Sequence, residues 1–199
     1  MTILELEQGT EAWHIARCGM PTASNFDLIV TTKGERSKQR EKYMFQLAGE
    51  RIIGKPEATY TNEDMLRGQQ MEMEASQLYE LMTGNTVEKV GLCVEQGYGA
   101  SSDRLVGTDG LLEIKCPKLS THVGYLLKGE LPSDYFQQVQ GQLLVTGRKW
   151  VDFLSYYPAM KPMLVRVERD DKFLALLEKE LILFCNELEQ IVNKLRSEE

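Results

Sequence analysis

The sequence predicts an α/β protein in which helices flank a central mixed β-sheet. Helical patterns fill roughly the first 80 residues, short segments rich in β-branched and aromatic residues follow, and a long amphipathic helix closes the chain. This order of elements favours a sheet with helices packed against it. With 199 residues, 42% of them apolar, the chain can bury one core of ordinary size, and we expect residues 1–199 to form a single domain.

The N-terminal part is predicted to be helical because capping and breaking residues separate its apolar patterns. Thr10 is a suitable N-cap for the first helix, Pro21 follows its end, and Gly54 and Gly84 end the two longer helices. Three of the predicted helices span about 10–17, 37–53 and 62–82. A further short helix is predicted to begin at Thr22 or Ser24 and to end at 30.

The second half is predicted to alternate between strands and helices. Strands are expected near 86–91, 100–106, 111–116, 149–156 and 163–167, with a helix over 133–145. The last helix begins at about Asp170, and steps of three and four residues give it one apolar stripe. We expect this stripe to be core or a subunit contact; it consists of Phe173, Leu177, Leu181, Phe184, Leu188, Ile191 and Leu195.

Composition favours a cytoplasmic protein with reduced thiols. No apolar run approaches the roughly 20 residues of a membrane span, and no secretory signal precedes the first helix. The four cysteines are scattered without a C-x-x-C pair, which argues against a zinc or iron–sulfur site. The net charge of −7 is unusual for a DNA-binding protein, but a basic stretch at 33–42 could contact DNA or form a solvated loop.

A predicted β-hairpin carries the most informative chemistry of the chain. Asp103 precedes a Gly-rich turn at 107–110, and Glu113 and Lys115 follow it. Side chains alternate along a strand, so Glu113 and Lys115 share one face, while Leu112 and Ile114 face the other way.

The register of this hairpin decides which groups meet. If Val106 pairs with Leu111, Asp103 lies opposite Ile114 and beside Glu113. Such a group of carboxylates suits Mg²⁺, which prefers hard oxygen ligands and can activate water against a phosphodiester. The alternative is that Glu-x-Lys forms a solvated ion pair on an exposed strand.

Two further groups of residues are candidates for a site. Glu72 shares a helical face with Ala75 and Tyr79, so an inward orientation would require a metal or a basic partner, whereas Glu74 should meet solvent. A helix glutamate that is only partly exposed is the alternative. Arg17 ends one predicted helix and Ser24 opens the next, which would suit a terminal phosphate or serve only as helix caps.

Five blocks in order give the chain a family resemblance. The chain resembles the lambda-type phage exonucleases, the YqaJ-like viral recombinases, which belong to the PD-(D/E)xK nuclease superfamily. The restriction-endonuclease-like core of that superfamily is therefore the expected fold. The blocks are Glu11–Arg17 with Thr22–Ser24, Arg67–Glu72, Asp103–Pro117, Gln137–Gln142 and Val145–Gly147.

The resemblance implies a role for each matching residue. Asp103, Glu113 and the carbonyl of Ile114 would hold one Mg²⁺, with Mn²⁺ as a substitute, and Glu72 would help to hold a second. Lys115 and Gln138 would position the attacking water, although a surface position suits Gln138, Gln137, Gln140 and Gln142 equally well. The positions of Arg17 and Ser24 match those that hold the 5′-phosphate of a DNA end, and Arg36 in the basic stretch could add to that site.

The activity implied is Mg²⁺-dependent 5′-to-3′ digestion of one strand at double-stranded DNA ends, leaving a 3′ overhang. The family also implies a ring-shaped homotrimer and a single-strand annealing protein as partner. Two alternatives stay open: an endonuclease of the same superfamily, and a catalytically silent module that binds DNA ends. One departure is Arg104, which stands where the family often has glycine, and which could relax the hairpin or reach DNA.

Overall fold

The computed structural model describes residues 1–57 and 63–197, and six α-helices organise this part of the chain. Two short 3-10 helices, Ala23–Leu28 and Ser133–Tyr135, accompany them. No helix among the described residues is long and apolar enough to cross a membrane. The α-helices are α1 Glu11–Arg17, α2 Arg40–Ile53, α3 Glu63–Thr83, α4 Leu119–Lys128, α5 Phe136–Thr146 and α6 Asp171–Ser197.

The described strands form two sheets. An antiparallel sheet of three strands has the order β1 (Thr2–Leu4), β3 (Leu92–Glu95) and β4 (Tyr98–Ala100). A second sheet of five strands has the order β2-β5-β6-β7-β8, in which only β6 and β7 run parallel. Its strands are β2 Val87–Glu88, β5 Arg104–Val106, β6 Gly110–Lys115, β7 Trp150–Ser155 and β8 Met163–Glu168. The predicted class, a mixed sheet flanked by helices, is confirmed.

The hairpin of β5 and β6 has a register one residue away from the predicted one. Val106 pairs with Gly110 rather than with Leu111, and a three-residue loop, 107–109, joins the strands. Gly107 has a φ of +52°, a backbone conformation that favours glycine in such a loop. Gly110 is also required, since a Cβ there would lie 2.1 Å from the Trp150 ring.

Helices cover both faces of the five-stranded sheet. On one face, Ala75 and Tyr79 of α3 pack against Leu112 and Ile114 of β6. On the other face, α5 contributes Val139 and Leu143, which pack against Leu111, Val151 and Phe153. Because consecutive β6 residues alternate between the faces, this packing fixes the directions in which Glu113 and Lys115 point.

The apolar stripe of α6 forms core, as one of its two interpretations predicted. The residues from Phe173 to Leu188 are buried with α2 and the first 3-10 helix, and Val192 extends the buried stripe. Leu195 is 43% exposed and lies outside the core, so a subunit contact by this residue stays a prediction.

Several elements differ from the sequence prediction, and β1 and β3 were not predicted as strands. The stretch predicted as one strand over 100–106 is split, since Tyr98–Ala100 belongs to the small sheet. Gln96 and Gly97 both have positive φ, which is the geometry of a two-residue hairpin turn and ties β4 to β3. Helix α4 was not predicted, because the residue before it, Lys118, is not one of the residue types that usually cap a helix, and it makes no side-chain cap.

Candidate active site

Glu113 lies at the centre of a buried polar cluster. The strand β6 directs Glu113 and Lys115 to the α5 side of the sheet, where the Lys115 Nζ lies 2.6 Å from the Glu113 Oε1. Glu113 is 2% exposed and Lys115 27% exposed in its side chain, so the pair is not the solvated surface pair of the alternative interpretation. The ring of Tyr135 lies 5.0 Å from the same ammonium group.

Two glutamines of α5 complete the surroundings of Glu113. Gln138 Nε2 donates to the Glu113 Oε1 at 2.6 Å, and Gln142 Nε2 donates to the Oε2 at 2.6 Å. Residues four apart lie on one helical face, which lets both amides reach one carboxylate. We call Lys115, Gln138 and Gln142 the Glu113 clamp.

The sequence did not single out Gln142. Its position four residues after Gln138 was the available signal, but a surface interpretation was kept open for all the glutamines of this helix. That interpretation is wrong for Gln137, Gln140 and Gln142, which are buried. Gln137 donates to the Val30 carbonyl, and Gln140 donates to the Glu168 carbonyl, so both serve the fold.

Asp103 reaches β6 through its side chain. The backbone N–H of Ile114 donates to the Asp103 Oδ2 at 2.6 Å. On the opposite edge of β6, the Lys115 carbonyl accepts from the Tyr156 N–H of the chain after β7. Because backbone groups alternate between the two edges of a strand, the Ile114 carbonyl points to the same edge as its N–H, where Asp103 lies.

The buried charges shift each other's titration. Burial raises the pKa of the Asp103 carboxyl well above its usual value, and the nearby Glu113 carboxylate raises it further. Burial lowers the pKa of Lys115, but the carboxylates of Glu113 and Asp103 outweigh burial, so the net shift is upward. Lys115 is therefore a protonated ammonium group, and its charge and the Ile114 amide offset part of the upward shift of the Asp103 pKa.

The Glu72 side chain is 34% exposed, which fits the alternative of a partly exposed helix glutamate, and its partner is a base. The Arg104 Nη1 lies 2.8 Å from the Glu72 Oε1 and also donates to the Asp103 carbonyl at 2.6 Å. Arg104 is 9% exposed. Glu74 is exposed, as expected from its helical face, although it accepts a hydrogen bond from the Tyr156 hydroxyl.

Arg17 and Ser24 are brought together at the end of α1. The Arg17 Nη2 donates to the Thr22 Oγ1 at 2.9 Å and to the Ser24 Oγ at 3.2 Å. The Arg17 guanidinium also lies 4.0 Å above the Trp13 ring. Among the contacts of residues 1–57 and 63–197, none pairs Arg17 with a carboxylate, so its charge is held by neutral groups alone.

Arg36 makes its ion pairs elsewhere. Its Nε lies 2.8 Å from the Glu180 Oε2, and its Nη2 lies 3.8 Å from the Glu187 Oε1, both on α6. Arg40, in the same basic stretch, is 8% exposed and pairs with Glu187 at 2.6 Å. The interpretation of the stretch as a DNA-facing arm is therefore wrong for Arg40, while a phosphate contact by Arg36 stays a prediction.

The donor set fits a hard divalent cation. Asp103 uses Oδ2 for the Ile114 amide, and the three clamp donors leave Glu113 with a free lone pair, since a carboxylate can accept about four hydrogen bonds. The Ile114 carbonyl adds a neutral oxygen at the same edge, which matches the ligand preference of Mg²⁺. In the part of the chain that the structure describes, no three His, Cys, Asp or Glu side chains form a metal-binding group. A site here thus depends on two carboxylates and a backbone carbonyl.

The mixed sheet, its covering helices and the hairpin with its Asp, Glu and Lys define a nuclease fold of the PD-(D/E)xK type. More narrowly, the chain belongs to the family of the YqaJ-like viral recombinase domain, whose model matches residues 12–149. This match confirms the family resemblance. No curated protein matches the chain.

Solved structures agree with the family. The alkaline exonuclease LHK-Exo from Laribacter hongkongensis is 37% identical, with a TM-score of 0.87 over 95% of this chain and 97% of that one. The LHK-Exo complex with dAMP has a TM-score of 0.86 at the same identity and coverage. A phage-related exonuclease from Haemophilus somnus 129PT shares the fold, with a TM-score of 0.69 over 88% of this chain and 96% of that one, at 13% identity.

Proposed function

We propose that this protein is a Mg²⁺-dependent exonuclease that digests one strand of linear double-stranded DNA in the 5′-to-3′ direction. The general nuclease assignment follows from the family and from the 37% identity to an alkaline exonuclease. The cation, the polarity and the 3′ overhang left for recombination are the specific parts of the proposal. The observation that carries it is the Glu113 clamp beside Asp103.

In this proposal Asp103, Glu113 and the Ile114 carbonyl would hold the Mg²⁺, for which Mn²⁺ would substitute. The cation would lower the pKa of a bound water and offset charge on the scissile phosphate. Holding a cation also accounts for the cost of placing two carboxylates close together in a desolvated site.

The clamp residues have separate tasks. Lys115 is a protonated donor at the edge of the site, where it can orient the attacking water and stabilise negative charge that develops on the phosphate. Gln138 would orient the same water while it fixes one oxygen of Glu113. Gln142 fixes the other oxygen and is a positioning residue. Two amides and one ammonium group thus hold Glu113 in one rotamer before substrate arrives.

The polarity of digestion rests on the group formed by Arg17 and Ser24. Arg17 contacts hydroxyls and a ring face, whereas Arg36, Arg40 and Arg104 each pair with a carboxylate. Arg67 and Arg148 donate to backbone carbonyls instead. An unneutralised guanidinium beside a hydroxyl suits a terminal 5′-phosphate, the group that marks the strand to be digested. Arg36 would join this site only by leaving its α6 partners.

The proposal extends to assembly and partners. The expected assembly is a homotrimer that encloses duplex DNA. The expected partner is a single-strand annealing protein that receives the 3′ overhang. Both suggestions come from the family relation, and both are consistent with an enzyme that must stay on one DNA end through many turnovers.

A substrate comparison tests the proposal. Purified protein with Mg²⁺ should release mononucleotides from a linear duplex and leave a covalently closed circle of the same sequence intact. Nicks or linear products from the closed circle would identify an endonuclease instead. No cleavage of either substrate, with binding to linear DNA ends, would identify a silent end-binding module.

A further inference from the structure

We infer that Trp13 is a positioning residue, which holds the Arg17 guanidinium in place for a terminal phosphate and ties it to the segment that carries Asp103. The inference rests on the proposed function, because it concerns the site that is proposed to bind the 5′-phosphate. It goes further by making one side chain the connection between that site and the metal site.

The spacing along α1 brings the indole and the guanidinium together. Trp13 and Arg17 lie four residues apart on this helix, which places both side chains on one of its faces. The Arg17 Cζ lies over the Trp13 ring, 4.0 Å from the ring centroid. Tryptophan has the aromatic face that attracts cations best. The indole therefore fixes where the cation of Arg17 lies.

The polar edge of the same guanidinium contacts two hydroxyl groups. Its Nη2 donates to the Thr22 Oγ1 at 2.9 Å and to the Ser24 Oγ at 3.2 Å. Thr22 is 3% exposed, so the first acceptor is held by the fold. Burial also lowers the pKa of Arg17, which shows that its charge is poorly solvated. A phosphate oxygen would supply the negative charge that hydroxyls and a ring face do not carry.

The nitrogen of the indole contacts the segment that leads into β5. Trp13 Nε1 donates to the Ser101 Oγ at 3.1 Å. Ser101 lies two residues before Asp103, whose Oδ2 accepts from the Ile114 amide. Trp13 thus touches Arg17 with its ring face and the Asp103 segment with its N–H, as buried tryptophans commonly combine an apolar contact with one hydrogen bond.

This connection matters for digestion from a DNA end. The terminal phosphate and the scissile phosphodiester belong to one strand, so the two sites must lie at a fixed separation for the reacting atoms to be aligned. Small errors in such alignment are costly to the rate. Loss of the indole should therefore reduce the advantage that a 5′-phosphorylated substrate has over a 5′-hydroxyl substrate.

The preference for a 5′-phosphate tests the inference. We define it as the kcat/KM for a 5′-phosphorylated duplex divided by the kcat/KM for a 5′-hydroxyl duplex. Trp13→Leu should lower this preference by about 2–30-fold, the range that corresponds to a cation–π contact. Trp13→Phe keeps an aromatic face and should give an intermediate value. A residue that served only the fold would lower both kcat/KM values equally and leave the preference unchanged.

Trp150→Leu is the matched control. The Arg166 guanidinium lies 3.7 Å from the centroid of the Trp150 ring, so this change also removes an indole from beneath an arginine. Trp150 begins β7 and pairs with Gly110, away from the hydroxyl group of α1 and the first 3-10 helix. The variant should lose stability and keep the preference. An unchanged preference in folded Trp13→Leu, or an equal fall in Trp150→Leu, would overturn the inference.

A second pair of variants covers the case in which Trp13→Leu fails to fold. Ser101→Ala removes the acceptor of the indole N–H and should also lower the preference. In a Trp13→Phe background, which already lacks that N–H, the Ser101 change should have a smaller effect. Equal effects in the two backgrounds would contradict the link between Trp13 and Ser101.

The failure of the inference is distinct from the failure of the proposed function. A wild-type protein with a clear preference that Trp13→Leu retains would overturn the inference alone. A wild-type protein that digests both duplexes equally well would overturn the proposed phosphate site of Arg17, and the inference with it. Binding of the two duplexes in the presence of a chelator, measured by fluorescence anisotropy, should show the same order of preference without cleavage.

Discussion

Three donors converge on the two oxygens of the buried Glu113 side chain. A buried carboxylate is costly without such partners, so each clamp residue should have a measurable effect on the site. The effects should also differ, because Lys115 is proposed to face the substrate, whereas among the described residues the side-chain hydrogen bond of Gln142 goes to Glu113.

Removing the ammonium group should stop chemistry and spare binding. Lys115→Ala should lower kcat by at least about 10²-fold, a typical loss for one electrostatic donor to the transition state. Asp103→Ala and Glu113→Ala should be equally inactive. Fluorescence anisotropy with an end-labelled duplex should show that all three variants still bind DNA. Cleavage at the wild-type rate by Lys115→Ala would refute the proposed mechanism.

Ca²⁺ should support DNA binding but not turnover, since its looser coordination positions water poorly.

Gln142 should act through the metal site rather than through substrate. Gln142→Leu frees one oxygen of Glu113, and the apparent Mg²⁺ affinity should fall by about 10–100-fold, as for other residues that orient metal ligands. The Mg²⁺ dependence of cleavage and calorimetric titration with Mg²⁺ both measure this. The control is Gln140→Leu on the same helix, whose amide binds the Glu168 carbonyl and whose loss should reduce stability alone. Equal Mg²⁺ affinities in the two variants would mean that Gln142 serves only the fold.

Arg17 should discriminate between DNA ends. Arg17→Ala should slow digestion of a 5′-phosphorylated duplex much more than digestion of a 5′-hydroxyl duplex, because one charge-assisted contact contributes about 1.5–3 kcal/mol. The ratio of kcat/KM for the two substrates measures the contact. A similar loss on both would show that Arg17 supports the fold or the general DNA backbone.

At the scale of elements, the site depends on how closely α5 approaches the first 3-10 helix. Gly141 permits this approach, since a Cβ there would lie 2.4 Å from the Phe26 ring and 3.2 Å from the Ala23 Cβ. The same contact links the helix that carries Gln138 and Gln142 to the segment that carries Ser24.

Two glycines therefore respond differently to the same change. Gly141→Ala should lower the free energy of unfolding by about 1–3 kcal/mol, because overpacking outweighs the gain in helix propensity. In Gly49→Ala of α2, the added Cβ has no neighbouring atom within 4 Å. This change should raise the free energy of unfolding by up to about 1 kcal/mol. Urea denaturation of both variants measures the difference. Destabilisation by both changes would show that the contact with Phe26 is not the cause.

The sequence correctly predicted the elements with strong periodicity. It was less informative about strand register and about which residues form ion pairs. The alternation along β6 correctly placed Glu113 and Lys115 on one face, and the Thr10 cap correctly marked the start of α1. The hairpin register was wrong by one residue because a three-residue loop and a two-residue turn both suit a Gly-rich segment.

Contacts between distant segments could not be predicted from local patterns. From the sequence, Arg36 and Arg40 lie in a basic stretch that could contact DNA or form a solvated loop, but their carboxylate partners are more than 140 positions away on α6. The pairing of Glu72 with Arg104 likewise joins α3 to β5. The sequence indicated only that an inward Glu72 needs a metal or a basic partner, and it did not identify that partner. Long-range ion pairs of this kind carry no periodic signal.

At the scale of the whole molecule, a net charge of −7 must be reconciled with a polyanionic substrate. A ring would resolve this if the acidic exterior keeps the protein soluble while the active sites line a central channel. Sedimentation equilibrium at micromolar concentration should therefore give a mass near three times 22.7 kDa. A species of monomer mass would exclude the ring and leave only the chemistry of the single subunit.

Enclosure should also separate loading from digestion. Salt weakens the encounter with a DNA end because counterions compete for the phosphates, but an enclosed duplex cannot diffuse away between turnovers. Raising the salt concentration should thus lower the rate of loading more steeply than the number of nucleotides released per binding event. A single-turnover assay with a trap of excess unlabelled duplex measures both quantities, and a parallel loss of both would argue against enclosure.

The most direct test of the central claim is a comparison of end labels. A linear duplex that carries a label at either the 5′ or the 3′ end of one strand is incubated with the protein and Mg²⁺. We predict immediate release of the 5′ label as a mononucleotide, late release of the 3′ label, and no release of either by Asp103→Asn. Early release of the 3′ label, or 5′-labelled fragments longer than a mononucleotide, would contradict a 5′-to-3′ exonuclease built on Asp103 and the Glu113 clamp.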